Sequence, residues 1–269
     1  MRGTLVKAIV FLGGGRITSA LVAGLGLARY KNPIIVHDRN PQKLKQLERE
    51  HSVVVEPDLK KAIRQARLLV IAVRPQSVEG LLNEIGLLDI PLTAVSLAAG
   101  IPLSKLRGRL GSHVRWARAM PSPVCRVGRG LTALTFDRGV SKAARREVIR
   151  MFETVGQVLE IPESKFDAFT VTYSSSHGYH ALATLAKAAQ KAGLDRKTAL
   201  SASAHALADG IQAWRESGMS LESLLEEAAT PGGIAATVMA SMDEDGYGRI
   251  VERGLKAGMR RARHNGNTR

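Results

Sequence analysis

Between Val171 and Leu194 the chain reads "VTYSSSHGYHALATLAKAAQKAGL". Three serines, two histidines and two tyrosines crowd together ahead of an Ala/Leu-rich helical pattern. Those side chains suit a nucleophile, a proton donor, a metal ligand or an anion clasp. A Ser–His nucleophilic pair is a poor fit: Ser176 and His177 are adjacent, and neighbours on a chain rarely face each other. No G-x-S-x-G elbow occurs either. His177 and His180 have helical spacing, but nothing near them completes a metal shell. A helix start is left. A Ser there caps the first amides, and free N–H groups with hydroxyls beside them suit a carboxylate. We therefore assign Ser174, Ser175, Ser176 and His177 to substrate binding. Thr230-Pro231-Gly232-Gly233 opens a second helix, with Pro231 read at its first position. Its amides can face the same pocket, so Thr230, Gly232 and Gly233 join the set. The bland alternative is a cap with His and Tyr packing at an interface. His205, on an Ala-rich helical face, reads as a packed or interfacial histidine. No catalytic acid or base and no metal ligand stands out.

A second group of residues points to a cofactor. "IVFLGGGRITSAL" runs from an apolar strand through a Gly-rich turn into a helix. Gly13 and Gly15 take the first two places of a G-x-G-x-x-G fingerprint, one for the tight turn and one for close approach of a pyrophosphate. Thr18 stands in the third place. The next strand ends "VHDRNPQK". Asp38 could accept from a ribose 2′-hydroxyl, whereas Arg39 and Lys43 could hold a 2′-phosphate. We expect NADP, with Asp38 turned away or paired with a base and NAD possible. "LLVIAVRPQ" ends a strand near Ala72, Val73, Arg74 and Pro75; "AVSLAAGIP" does so at Ala98, Ala99 and Gly100; "RWARAMPSPV" at Met120 and Pro121. Ligands of doubly wound sheets bind at these carboxyl ends.

The elements that must position these groups alternate over the first 160 or so residues. Short buried strands separated by amphipathic helices give βαβ units and a mostly parallel sheet. From about Glu163 strands cease, and Gly, Pro or polar breaks separate helical patterns rich in Ala and Leu. Their large apolar side chains are few, so packing on a second copy is expected. We divide the chain into a dinucleotide-binding domain, 1–162, and a helical dimerisation and substrate domain, 163–269.

The 269 residues carry 45% hydrophobic and 23% charged side chains, as in a soluble globular protein. No run reaches the roughly 18–20 apolar residues of a membrane span. The apolar stretch near the start breaks into three glycines, which suits strand and turn better than a signal peptide. One cysteine, Cys125, excludes an internal disulfide. These features suggest a cytoplasmic protein. The net charge of +15 permits contact with acidic partners. With 4% aromatics, however, a base-stacking surface is not expected, and neither nucleic acid nor membrane is an expected partner. The end of the basic tail "MRRARHNGNTR" is expected to fray.

Taken in order, "FLGGG", "AVRPQ", "SLAAGI", "RAMPSP" before "VGRGLTAL", and "ATPGG" resemble pyrroline-5-carboxylate reductase over nearly the whole chain. The resemblance implies a Rossmann-type domain followed by an all-helical one that dimerises by interlocking. It implies NAD(P)H-dependent reduction of a small cyclic imino acid to proline, between one subunit's cofactor and its neighbour's helices. A paralogue acting on another imine or carbonyl, and a non-catalytic dinucleotide-binding protein, are the alternatives. Departures are visible. Arg16-Ile17 replace the family's Asn-Met beside the cofactor, Arg74 its Lys and Ser122 its Asn. Ile234-Ala235 replace Thr-Thr, and "SSSHGYH" stands for Ser-Gly-Ser-Gly-Pro-Ala-Tyr.

Overall fold

In a computed structural model, residues 7–267 are described. The chain opens β1 (Ala8–Leu12), α1 (Arg16–Leu27), β2 (Ile34–His37), α2 (Pro41–Glu50), β3 (Val54–Val55), α3 (Leu59–Arg64), β4 (Ala66–Ile71) and α4 (Pro75–Ile85). It continues β5 (Leu92–Ser96), α5 (Leu103–Leu106), β6 (Val114–Met120), β7 (Gly130–Phe136), α6 (Lys142–Glu153), β8 (Gly156–Glu160) and α7 (Glu163–Thr172). Then come α8 (Ser175–Lys191), α9 (Arg196–Ser217), α10 (Leu221–Ala228), α11 (Ile234–Glu244) and α12 (Tyr247–Asn267). The strands form one sheet in the order β3-β2-β1-β4-β5-β6-β7-β8. All neighbours are parallel except β6 and β7. The order reverses direction between β1 and β4, which makes that point the switch crevice.

Every residue of β1 is buried, because helices cover both faces of the sheet. Val10, Leu12, Leu69 and Ile71 meet the helices α3 to α5 on one side. Ile9, Phe11, Leu68 and Val70 meet α1, α2 and α6 on the other. This is the period of two that sends alternate side chains to opposite layers. Starts and stops follow local chemistry. Asn40 Oδ1 accepts from Gln42 N at 2.9 Å and Pro41 sits at the first position of α2, so the helix begins there. Asp195 caps α9 in the same way, and the bonds from Thr198 hold its carboxyl below the usual range.

The described chain divides into two compact units. The first runs to Tyr173 and includes the residues from Gly258 on; the second is Ser174–Ala257. The expected boundary at 162/163 falls at the start of α7, a helix that packs on β7 within the first unit. The basic tail is helical to Asn267, and the chain end expected to fray lies outside the described residues. In the tail, Ala262 is 5% exposed, and a Cβ on Gly100 would come 2.3 Å from the Ala262 carbonyl oxygen. In the second unit α8 packs on α9, but α10 and α11 bury no residue. Ile211, Trp214, Leu225, Val238 and Ile250 are exposed within the single chain.

Candidate functional site

The strand ends of the first unit are stitched into a row by backbone bonds. Gly13 N donates to His37 O and Ala72 N to Leu12 O, both at 2.8 Å, and Leu97 N donates to Ile71 O at 2.9 Å. The segments after β1, β2, β4 and β5 thus leave the sheet side by side. Gly13, Gly15, Arg39, Ala72–Pro75 and Ala98–Gly100 are brought to this one edge, with Met120 ending β6 at the same side.

The turn after β1 is built by glycine and one hydroxyl. Gly13 has φ of 112°, and a Cβ there would lie 2.6 Å from the Ala72 carbonyl oxygen. Only glycine fits. Gly15 is the N-cap of α1, and a Cβ there would meet nothing within 4 Å. No side chain caps that helix start, so its first amides are available to a ligand, with Arg16 exposed and Ile17 half-buried beside them. Thr18 is fully buried, and its Oγ1 donates to Gly13 O at 2.5 Å. A residue that reads as a defect in the fingerprint thereby ties the helix to the turn. A separate close approach is made at Gly24, where a Cβ would lie 2.0 Å from Cys125 O. That contact joins α1 to the short 3-10 helix Pro123–Val127, and pattern reading gives no sign of it.

Asp38 faces inward. Its Oδ2 accepts from Gly14 N at 2.7 Å, its Oδ1 accepts from Asn40 N at 2.8 Å, and Lys43 Nζ lies 3.5 Å from Oδ2. Both oxygens are engaged within the chain, so the carboxylate pairs with a base as expected. Arg39, largely exposed, pairs with Glu84 of α4. A surface pair of this kind contributes about 0–1 kcal/mol, so an incoming phosphate can displace it.

Arg74 is the exposed N-cap of α4 and offers no side-chain cap bond. Ala98 and Gly100 are buried, and Asn265 Nδ2 donates to Ala99 O at 3.5 Å from α12. The last turns of α12 are therefore part of this edge, which the basic tail gave no reason to expect. Under Met120, Arg118 is almost wholly enclosed, its side chain 2% exposed. Its Nη1 lies 3.3 Å from Glu163 Oε1, its Nη2 donates to Asp167 Oδ1 at 3.0 Å, and its guanidinium stacks 4.3 Å over Phe166. Ser122, where the resemblance has Asn, accepts from Val124 N at 3.1 Å and caps the 3-10 helix.

The predicted substrate residues all belong to the second unit. Ser174 caps α8: its Oγ accepts from Ser176 N at 3.4 Å and lies 2.7 Å from Ser176 Oγ. Ser175, Ser176 and His177 follow in the exposed first turn. Gly233 caps α11 without a side chain, and its N donates to Thr230 O at 2.9 Å. Gly232 has φ of 75°. Pro231 lies in that turn rather than at the first helical position, because the turn closes before Ile234 begins the helix. His205 is exposed within the single chain, so it is not packed there, and it pairs with Asp209 one turn on, Nδ1 to Oδ2 at 3.1 Å. Among the described residues no group of three or more His, Cys, Asp or Glu could hold a metal ion, and no helix is long and apolar enough to cross a membrane.

A family model for pyrroline-5-carboxylate reductase dimerisation matches residues 163–265, and one for coenzyme F420-dependent NADP oxidoreductases matches 8–100. The pyrroline-5-carboxylate reductase of Corynebacterium melassecola is 30% identical over 88% of this chain and 91% of its own. That of Mycobacterium leprae is 29% identical over 93% of each. Among solved structures, a pyrroline-5-carboxylate reductase from Coxiella burnetii superposes with a TM-score of 0.86 at 23% identity, over 98% of this chain and all of the other. A pyrroline carboxylate reductase from Plasmodium falciparum with NADP bound gives 0.85 at 21% identity, with the same coverage.

Proposed function

The chain belongs to the pyrroline-5-carboxylate reductase family, and we propose from that premise that it reduces pyrroline-5-carboxylate to proline with NADPH. The observation that carries the reading is the Gly-rich turn. It presents uncapped α1 amides at the sheet's switch point, while Asp38 is committed inward and Arg39 is free to exchange partners. Those residues fit a dinucleotide bearing a 2′-phosphate. Gly13, Gly15 and the first amides of α1, with Arg16 and Ile17 beside them, would hold the pyrophosphate, and Arg39 with Lys43 the 2′-phosphate. Ala72–Pro75, Ala98–Gly100 and Met120-Pro121 would border the nicotinamide half. When bound, NADPH supplies the hydride. The protonated cyclic imine is already an electrophile, so the chain's own task is to bind, orient and exclude water, with little acid–base chemistry. Ser174–His177 and Thr230, Gly232 and Gly233 would take the carboxylate through amides and hydroxyls.

The test follows NADPH oxidation with pyrroline-5-carboxylate and identifies proline as product. Turnover of other cyclic imines alone would favour the second reading, a relative with another imine substrate. That reading rests on Ile234-Ala235 where the family commonly has Thr-Thr; Ile234 is 86% exposed within the chain.

Arg39 and Lys43 also give a specificity prediction. The double variant Arg39→Ala/Lys43→Ala is expected to lower kcat/KM for NADPH by about tenfold to a hundredfold, as loss of charged hydrogen bonds of about 1.5–3 kcal/mol would. The value for NADH should hold nearly constant. An equal fall for both cofactors would count against a 2′-phosphate site.

We further propose that the second unit dimerises with its counterpart in another copy. The exposed Ile211, Trp214, Leu225, Val238 and Ile250 support this, since an apolar surface of that kind is normally an interface. Light scattering should give at least twice the mass of one chain. A single-chain mass at micromolar concentration would contradict the dimer.

A further inference from the structure

Tyr173 immediately precedes the Ser174–His177 group and has no part in the binding just described. It closes α7: its N donates to Phe169 O at 2.7 Å, and its ring lies against that of Phe169, centroids 5.2 Å apart. With φ of −85° and ψ of 62° its backbone leaves the helical region, and Ser174, one peptide bond on, caps α8. Both helix ends are thus completed by local bonds. The Tyr173 hydroxyl does something else: it accepts from Leu131 N, in β7, at 2.8 Å.

Successive amides of a strand point to opposite edges. Gly130 N donates at 3.2 Å to Val155 O, next to the start of β8, so Leu131 N points to the β6 side. Strand β6 offers it no acceptor. Its pairing with β7 ends at Met120 opposite Ala133, and the chain then turns off through Pro121 to the cap at Ser122. A strand amide left without an acceptor is unfavourable. The Tyr173 hydroxyl fills the rung that β6 vacates, at the end of the strand whose Met120-Pro121 would border the nicotinamide.

We propose that Tyr173 is a positioning residue for the substrate: its hydroxyl pins to the carboxyl end of β6 the residue that leads into the Ser174–His177 group. This rests on the reductase reading, in which that group takes the substrate carboxylate. Tyr173 touches no substrate and acts through Ser174, to which it is joined. The test is Tyr173→Phe, which removes the hydroxyl and keeps the ring beside Phe169. Steady-state kinetics should show KM for pyrroline-5-carboxylate raised about threefold to tenfold, as loss of one hydrogen bond would give, with kcat nearly unchanged. The Kd of NADPH, from fluorescence titration, should hold constant, because the Gly-rich turn and Arg39 are untouched. A bond that served only the stability of the first unit would lower the melting temperature and leave KM where it was. An unchanged KM for the imine, or a rise matched by an equal loss of NADPH affinity, therefore overturns the assignment and leaves the reductase reading standing. Failure of the unaltered protein to oxidise NADPH with pyrroline-5-carboxylate overturns both.

Discussion

Gly13→Ala should weaken NADPH binding by about thirtyfold to a hundredfold or more and lower thermal stability as well. The φ of 112° already disfavours any L side chain, at a cost of about 1–3 kcal/mol. A Cβ would also sit 2.6 Å from the Ala72 carbonyl oxygen and 2.9 Å from its carbon, and both are backbone atoms fixed in the sheet. Relief requires the turn to move. Yet Gly13 N is bonded to His37 O and Gly13 O accepts from Thr18, so movement breaks the tie that holds the α1 amides in place. Together these amount to about 2–3 kcal/mol against the bound state, the source of the fold-change. Gly26→Ala is the control. It lies in α1 with nothing within 4 Å of its added methyl, so the variant should bind NADPH normally and be slightly stabilised. Fluorescence titration of NADPH against both variants checks this. Unchanged affinity in Gly13→Ala would show that the turn does not hold the cofactor.

The second large effect falls on Arg118. Arg118→Met keeps length and apolar contact but removes the charge facing Glu163 and Asp167 and the stack on Phe166. Loss of one partner of a fully buried pair costs about 3–5 kcal/mol. Here the two carboxylates retain 31% and 27% exposure, so water partly compensates, and we expect about 2–3 kcal/mol in chemical denaturation. Glu163 Oε1 also accepts from Leu103 N at 2.5 Å, which couples the network to the loop carrying Gly100. The variant should therefore raise KM for NADPH as well as unfold earlier. Glu163→Gln, which leaves Asp167 on Arg118, should lose much less. Equal losses in the two variants would mean that the arginine's charge is not what the network needs.

What the sequence revealed follows from how local each signal is. Buried apolar runs bounded by turns located the strands, and Gly13 and Gly15 located the turn, because strand, turn and cap chemistry is written in adjacent residues. That Asp38 pairs with a base was legible for the same reason, although which base was not: it is Lys43, five residues on in the first turn of α2. Contacts across the chain were not. Nothing near Gly100 announces that Ala262 packs on it, and nothing near Gly24 announces the Cys125 carbonyl. Likewise Thr18 reads as a missing glycine until its hydroxyl is seen on Gly13 O. His205 shows a different limit. Helical periodicity gives a face, but not whether that face meets a core or the carboxylate of Asp209. Charge patterning in the basic tail likewise says nothing of the loop on which Ala262 and Asn265 lie. The Ser174 cap was local and legible, whereas the substrate group it would receive is not encoded in any one stretch.

The most direct test of the reductase reading uses NADPH carrying deuterium at the transferable position of nicotinamide C4, with pyrroline-5-carboxylate as acceptor. Mass spectrometry and proton NMR of the product should show proline with one deuterium, on the ring carbon that was the imine carbon and not on the carbon bearing the carboxylate. Cofactor oxidised without labelled proline, or no oxidation with this imine under conditions where NADPH is shown to bind, would contradict the account.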